Sequence, residues 1–175
     1  MNIKKIKFNE NKFKEVILFL LSQSPNKTIE GKKKIAKLLY FSDFNFFEVY
    51  EESVTGATYR ALPMGPVPDE LEGAIKEMRG KTITITKKDI GLENDMLVFS
   101  LKDMNIDPDL SFKHLSDDEK QVLRKVYSDY GNVNGKVLEN ISHSEAPYNA
   151  VVLGEYIPYE LAFYRGKNKK ELIGV

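Results

Sequence analysis

The chain has no cysteine among its 175 residues. Disulfide frameworks, cysteine-ligated zinc and thiol catalysis are therefore excluded, and a reducing compartment suits the composition. Histidine is scarce: His114 and His143 are the only two. Net charge is missing as well. Twenty-six basic and 26 acidic side chains balance to zero, which argues against a protein that coats nucleic acid nonspecifically. Long apolar runs are absent. The longest, "VILFLL" from Val16 to Leu21, is far short of a membrane span. The lysines ahead of it imitate a secretory leader, but Glu10, Asn11 and Glu15 interrupt them and no small-residue cleavage site follows. The expectation is a cytoplasmic protein with no membrane contact. Familiar enzyme motifs are lacking too: no G-x-x-x-x-G-K-[ST], no G-x-G-x-x-G after a strand and no G-x-S-x-G occurs.

What is present describes a folded domain. Apolar residues make up 42% and aromatics 11%, enough for one substantial core. The charges are segregated along the chain. Residues 1–37 hold ten lysines against Glu10, Glu15 and Glu30, while residues 43–77 hold eight acids against Arg60 and Lys76. Such blocks either complement each other internally or form two partner faces of opposite sign.

Periodicity supplies the elements. Phe13, Val16, Ile17, Leu20 and Leu21 have helical spacing. Pro25 breaks that helix, and Asn26 or Thr28 is the expected cap of the next. A long helix then follows through "KKKIAKLLYFSDFNFFEVYEE", with Phe41, Phe44 and Phe47 widening an already apolar face, as suits a central helix. "ATYRAL" alternates as a short strand; "PMGPVP" is a turn and stiff extended connector; "DELEGAIKEMRG" is a third helix. Thr82–Thr86 and Leu97–Leu101 alternate around a polar loop holding Gly91 and Asn94, the pattern of a hairpin. Ser116 and Glu119 form a capping box for a helix stopped by Gly131. Two short helices follow, the second with Pro147 in its first turn, and a last helix starts near Pro158. The expected fold class is α+β: a mostly helical single domain over 1–175, with a small antiparallel sheet from a short strand near 57–62 and a hairpin near 82–101. Residues 165–175 are expected to form a frayed basic tail.

Several residues are candidates for chemistry or recognition. Glu139, His143 and Glu145 are the best metal-like grouping, but a lone histidine lacks the partner ligands that a good site requires. The preferred reading has no catalytic residue, no metal and no cofactor. Lys32, Lys33, Lys34 and Lys37 form a possible nucleic-acid patch, yet lysines contact phosphate rather than bases and the same helix becomes heavily aromatic. In "LPMGPVP", Pro66 and Pro68 fix φ and lack N–H donors, so the segment is stiff. Stiffness suits a connector and equally a pre-organised docking surface.

"KLLYFSD" (Lys37–Asp43), "SVTGATY" (Ser53–Tyr59) and "LPMGPVP" (Leu62–Pro68) resemble, in order, the motifs of the Panacea domain, the SocA-like antitoxin family. Ser142, His143, Pro147 and Tyr148 match its S-H-x-x-x-P-[WY] pattern, and Ile157–Ala162 resembles its closing helix. Tyr148 stands where tryptophan is common, and Ser42 where alanine is common. The resemblance implies a non-enzymatic, often phage-associated antitoxin that binds and neutralises a protein toxin encoded beside it. An adaptor delivering a partner to a protease is the alternative, and a DNA-binding regulatory protein a further one. The residues expected on the partner surface are Tyr59, Arg60, Pro63, Gly65, Pro66, Pro68, His143, Pro147 and Tyr148. The resemblance names neither the toxin nor the oligomeric state.

Overall fold

The computed structural model describes residues 6–91 and 95–174; Asn94, placed above in the hairpin loop, lies outside them. Helix α1 (Glu10–Gln23) is capped by the Asn9 side chain and buries Phe13, Val16, Ile17, Leu20 and Leu21, as their spacing predicts. The expected second cap does not form. Thr28–Glu30 is a short strand, β1, and helix α2 (Lys32–Tyr50) starts at Gly31 with no side-chain cap. Thr28 and Ile29 favour a pleated surface once a partner strand is available, and β1 finds one some 70 residues later.

That partner is β5 (Met96–Leu101), which lies between β1 and β4 (Ile83–Lys88) in an antiparallel sheet of order β1-β5-β4. Ile29 stands opposite Phe99, and Phe99 opposite Ile85. Ile83, Phe99 and Leu101 are buried, so the alternation seen in the sequence seats one face on the core. The strand near 57–62 does not join this sheet. It is β2 (Tyr59–Leu62), and it pairs with β3 (Gly65–Pro68) in a separate antiparallel hairpin. The fold is thus α+β and mostly helical, with two small antiparallel units.

Helix α3 (Leu71–Met78) buries Leu71, Ala74, Ile75 and Met78. Helix α4 (Asp117–Tyr130) carries both hydrogen bonds of the Ser116–Glu119 capping box. Helices α5 (Gly135–Ser144) and α6 (Ala146–Asn149) follow, with Pro147 in the first turn of α6. A 3-10 helix (Tyr159–Tyr164) and α7 (Lys169–Ile173) complete the order. The residues expected to fray are folded as far as Gly174. Asn168 caps α7, Leu172 is buried, and the Arg165 side chain is wholly enclosed. A basic composition suggested solvent here; buried acids elsewhere in the chain draw the segment inward.

Helix α2 is central. From Ile35 to Glu48 every residue is buried, polar ones included. It packs on α4, α5, β3 and the 3-10 helix, so no stripe of it is left for solvent.

Candidate functional site

A helix buried on all sides must satisfy every polar group it carries. Lys37, Tyr40 and Asp43 sit three apart on α2, one above another on one face. Each reaches a different piece of chain. The Lys37 Nζ donates to the Pro66 carbonyl at 2.8 Å. The Tyr40 hydroxyl donates to Glu145 Oε2 at 2.8 Å. Asp43 accepts from the Thr55 backbone N–H at 2.7 Å, the Thr55 hydroxyl at 2.5 Å and the Tyr59 hydroxyl at 2.7 Å. Burial dominates the titration of two of these groups. It raises Asp43 from its usual 3.8 to about 6, against the hydrogen bonds from Thr55 and Tyr59 that hold it down. It lowers Lys37 from 10.5 to about 7.

The β2–β3 hairpin is built around its prolines. Register places Arg60 opposite Val67 and Leu62 opposite Gly65. Pro66 and Pro68 have no N–H, so those two pairs carry the ladder, and the outer edge of β3 offers acceptors without donors. Lys37 takes one of those carbonyls. The edge is therefore closed to a further strand. On its other side β2 meets residues 154–157: Ala61 N–H donates to Glu155 O, Gly154 N–H to Ala61 O and Ile157 N–H to Tyr59 O. Gly65 has φ +92°, and a Cβ there would lie 2.7 Å from Ser142 Oγ and 2.8 Å from Lys37 Cε. Glycine is required by both conformation and space.

The second motif block closes on this hairpin. The Tyr148 hydroxyl donates to the Leu62 carbonyl at 2.8 Å, and the His143 ring stacks on Tyr148 with centroids 4.4 Å apart. His143 Nε2 is buried without a partner, and burial leads the effects that lower its pKa. The two departures from the family pattern are both accommodated. The Ser42 hydroxyl returns to the Leu38 carbonyl, and Tyr148 supplies a hydroxyl that Leu62 accepts.

A buried ionic cluster completes the wiring. Arg165 Nε donates to Glu48 at 3.0 Å, its guanidinium reaches Asn45 Oδ1, and Glu145 lies 3.6 Å away. Lys167 pairs with Glu145 at 2.5 Å and lies over the Phe41 ring.

The structure distributes the expected surface residues unevenly. Tyr59, Gly65, Pro66, Pro68 and Pro147 are buried, Arg60, His143 and Tyr148 are half-buried, and Pro63 is exposed beside Met64. Arg60 is held firmly: it forks onto Asp69, donates to Gly154 O and lies 4.1 Å over the Tyr156 ring. The four lysines do not make one free patch. Lys37 is wholly buried, Lys33 pairs with Glu139 at 2.6 Å, and Lys32 pairs with Glu72. Lys34 is half-buried, and burial lowers its pKa. Glu139 is engaged by Lys136 and Lys33, which hold its pKa near 2, whereas Glu145 turns to Tyr40 and Lys167. Glu139, His143 and Glu145 therefore do not converge, and no cluster of three metal-binding side chains occurs among the described residues.

Sequence reasoning missed the inward roles of Lys37, Asp43, Glu48 and Arg165. One signal was available: Lys37 and Asp43 recur at helical spacing with Tyr40 inside an aromatic segment. The motif residues quoted for the family prove to be the network itself. Lys37, Tyr40, Asp43, Thr55, Tyr59, Gly65, Ser142 and Tyr148 each hold one part of the hairpin–helix junction.

The model of the antitoxin SocA-like Panacea domain matches residues 35–148. The match ends at Tyr148, so the likeness noted for Ile157–Ala162 falls outside it. No curated protein and no solved structure matches the chain. The matched span runs from the first buried turn of α2 to the tyrosine that closes on the hairpin, and the chain belongs to the SocA-like antitoxin family with a Panacea domain.

Proposed function

We propose that this protein is a non-enzymatic antitoxin that binds and neutralises a protein toxin encoded by a neighbouring gene. The family match over residues 35–148 carries the reading. The geometry is consistent with it. Lys37, Tyr40, Asp43, Glu48, Glu145 and Arg165 are each occupied with another part of the chain, a use that fixes positions rather than turning over a substrate; the buried His143 Nε2 is the exception. The outer face of the wired hairpin is rigid, with Arg60 clamped beside exposed Pro63 and Met64. A surface ordered before contact loses little entropy on binding. In this reading Arg60, Pro63, His143 and Tyr148 touch the partner, while Tyr59, Gly65, Pro66, Pro68 and Pro147 shape the surface from beneath. The domain extends beyond the matched span, because Arg165 and Lys167 neutralise acids that lie within it. The site of action is the cytoplasm; among the described residues no helix is long and apolar enough to cross a membrane.

Co-expression with the adjacent gene tests the reading. Growth arrest by that gene alone, relieved by this protein, with a stoichiometric complex on co-purification, is the expected outcome. Arrest that persists unchanged when this protein is present overturns it. Protease-dependent loss of the partner in the relieved cells would favour delivery for degradation over occlusion.

A further inference from the structure

Two clefts meet on one side of the molecule. The first, about 360 Å³, lies beside β3 and is lined by Leu62, Met64, Val67 and Leu71. The second, about 310 Å³, lies between α3 and the β4–β5 face, over Ile75, Ile85, Leu97 and Phe99. Lys32 and Glu72 line both, and their exposed ion pair marks the junction. The two apolar floors thus lie end to end, from the family's proline strand to the face of the larger sheet, with the ion pair between them.

The rim of the second cleft has one sign. Lys76, Arg79 and Lys87 stand around it, and its single acid, Glu72, is already paired with Lys32. Lys76 and Arg79 have no carboxylate partner among the described residues, and Lys87 has only Asp95 at 3.7 Å. Exposed cations that the chain leaves unneutralised above a greasy floor complement a ligand that is acidic and apolar together.

We infer that this groove receives an acidic amphipathic peptide segment of the partner protein: apolar side chains enter the floor and carboxylates meet Lys76, Arg79 and Lys87. The inference rests on the toxin-binding reading only for the identity of that partner. A nucleic acid fits less well. The floor is aliphatic apart from Phe99, which is fully buried and presents no ring for a base to stack on.

The test uses the full chain and three fluorescent probes. They are a short synthetic peptide of leucine and glutamate at helical spacing, the same peptide with lysine for glutamate, and a single-stranded oligonucleotide. The glutamate peptide is expected to bind, with affinity falling as salt rises. Lys76→Glu with Arg79→Glu is expected to weaken it by about tenfold or more, a change of roughly 1.4 kcal/mol. Lys169→Glu, the same kind of charge change on α7, should leave it unaltered. Both altered cations are exposed, so an unchanged melting temperature certifies the fold. Failure of the glutamate peptide to bind, equal binding of the lysine peptide, tighter binding of the oligonucleotide or indifference to the double variant overturns the inference. Growth protection against the neighbouring gene product is scored separately. If protection fails while the peptide binds at the groove, the antitoxin reading falls and the groove stands.

Discussion

Two regions of this molecule reach stability by different routes. Around the β1-β5-β4 sheet the interior is apolar: Ile29, Ile83, Phe99 and Leu101 pack, while charges such as Lys88 with Glu30 pair at the surface. Around α2, the β2–β3 hairpin and α5–α6, the interior holds Lys37, Asp43, Glu48, Glu145 and Arg165. An apolar core tolerates many sequences of similar volume. A buried polar core accepts few, because each donor needs its own acceptor and each charge its own counter-charge. The difference accounts for where the recognisable motifs lie. They mark the region in which one substitution strands another group.

Removing a charge from the wired region should give the largest effect. Arg165→Ala leaves Glu48 and Glu145 enclosed without their guanidinium, and a loss of about 3–5 kcal/mol is expected. Urea unfolding measures it; a loss below about 1 kcal/mol would erase the contrast between the regions. Gly65→Ala comes next. The left-handed φ alone costs about 1–3 kcal/mol, and contact with Ser142 and Lys37 adds to it. The same measurement on Gly91→Ala, also at positive φ but with open space around it, isolates the contact.

The wired region should also tilt stability with pH. The folded pKa of Lys37 is lowered, so between about 7 and 10.5 the unfolded chain holds more protons. Stability from this group therefore rises as pH rises through that window. For Asp43 the folded pKa is raised, so its contribution is full below 3.8 and is lost as pH climbs through about 6. Melting temperatures of Lys37→Met should lack the alkaline gain, and those of Asp43→Asn the acid-side loss. An unchanged profile in both variants would mean that neither group titrates as its burial dictates. The smallest effect belongs to the sheet. Ile83→Val should cost only about 0.5–1.5 kcal/mol and leave the pH profile of the parent intact.

The elements legible in the sequence were those whose stability is local. α1 announced itself by apolar spacing, α4 by the Ser116–Glu119 box, and β4 with β5 by alternation. β1 was illegible because three residues carry little propensity and their partner strand lies far along the chain. β3 was hidden by its prolines, which read as a connector until β2 supplied a ladder that needs no N–H from them. Lys37 read as a surface cation beside Lys32, Lys33 and Lys34, since adjacency in sequence says nothing about which side of a helix is enclosed. Of the site, the motif residues were visible but their direction was not. Tyr59, Gly65, Pro66, Pro68 and Pro147 were expected outside and lie within.

By itself the sequence determined the main helices and the β4–β5 hairpin, the exclusion of thiol and disulfide chemistry, and the motif order that places the chain in its family. Tertiary structure alone decided which charges are buried. Arg165 meets Glu48 across 117 residues, and Lys33 meets Glu139 across 106. Burying one of these ions alone would cost several kcal/mol. Each is admitted to the interior only where the fold brings up its counter-charge, and no local reading of the sequence contains that coincidence.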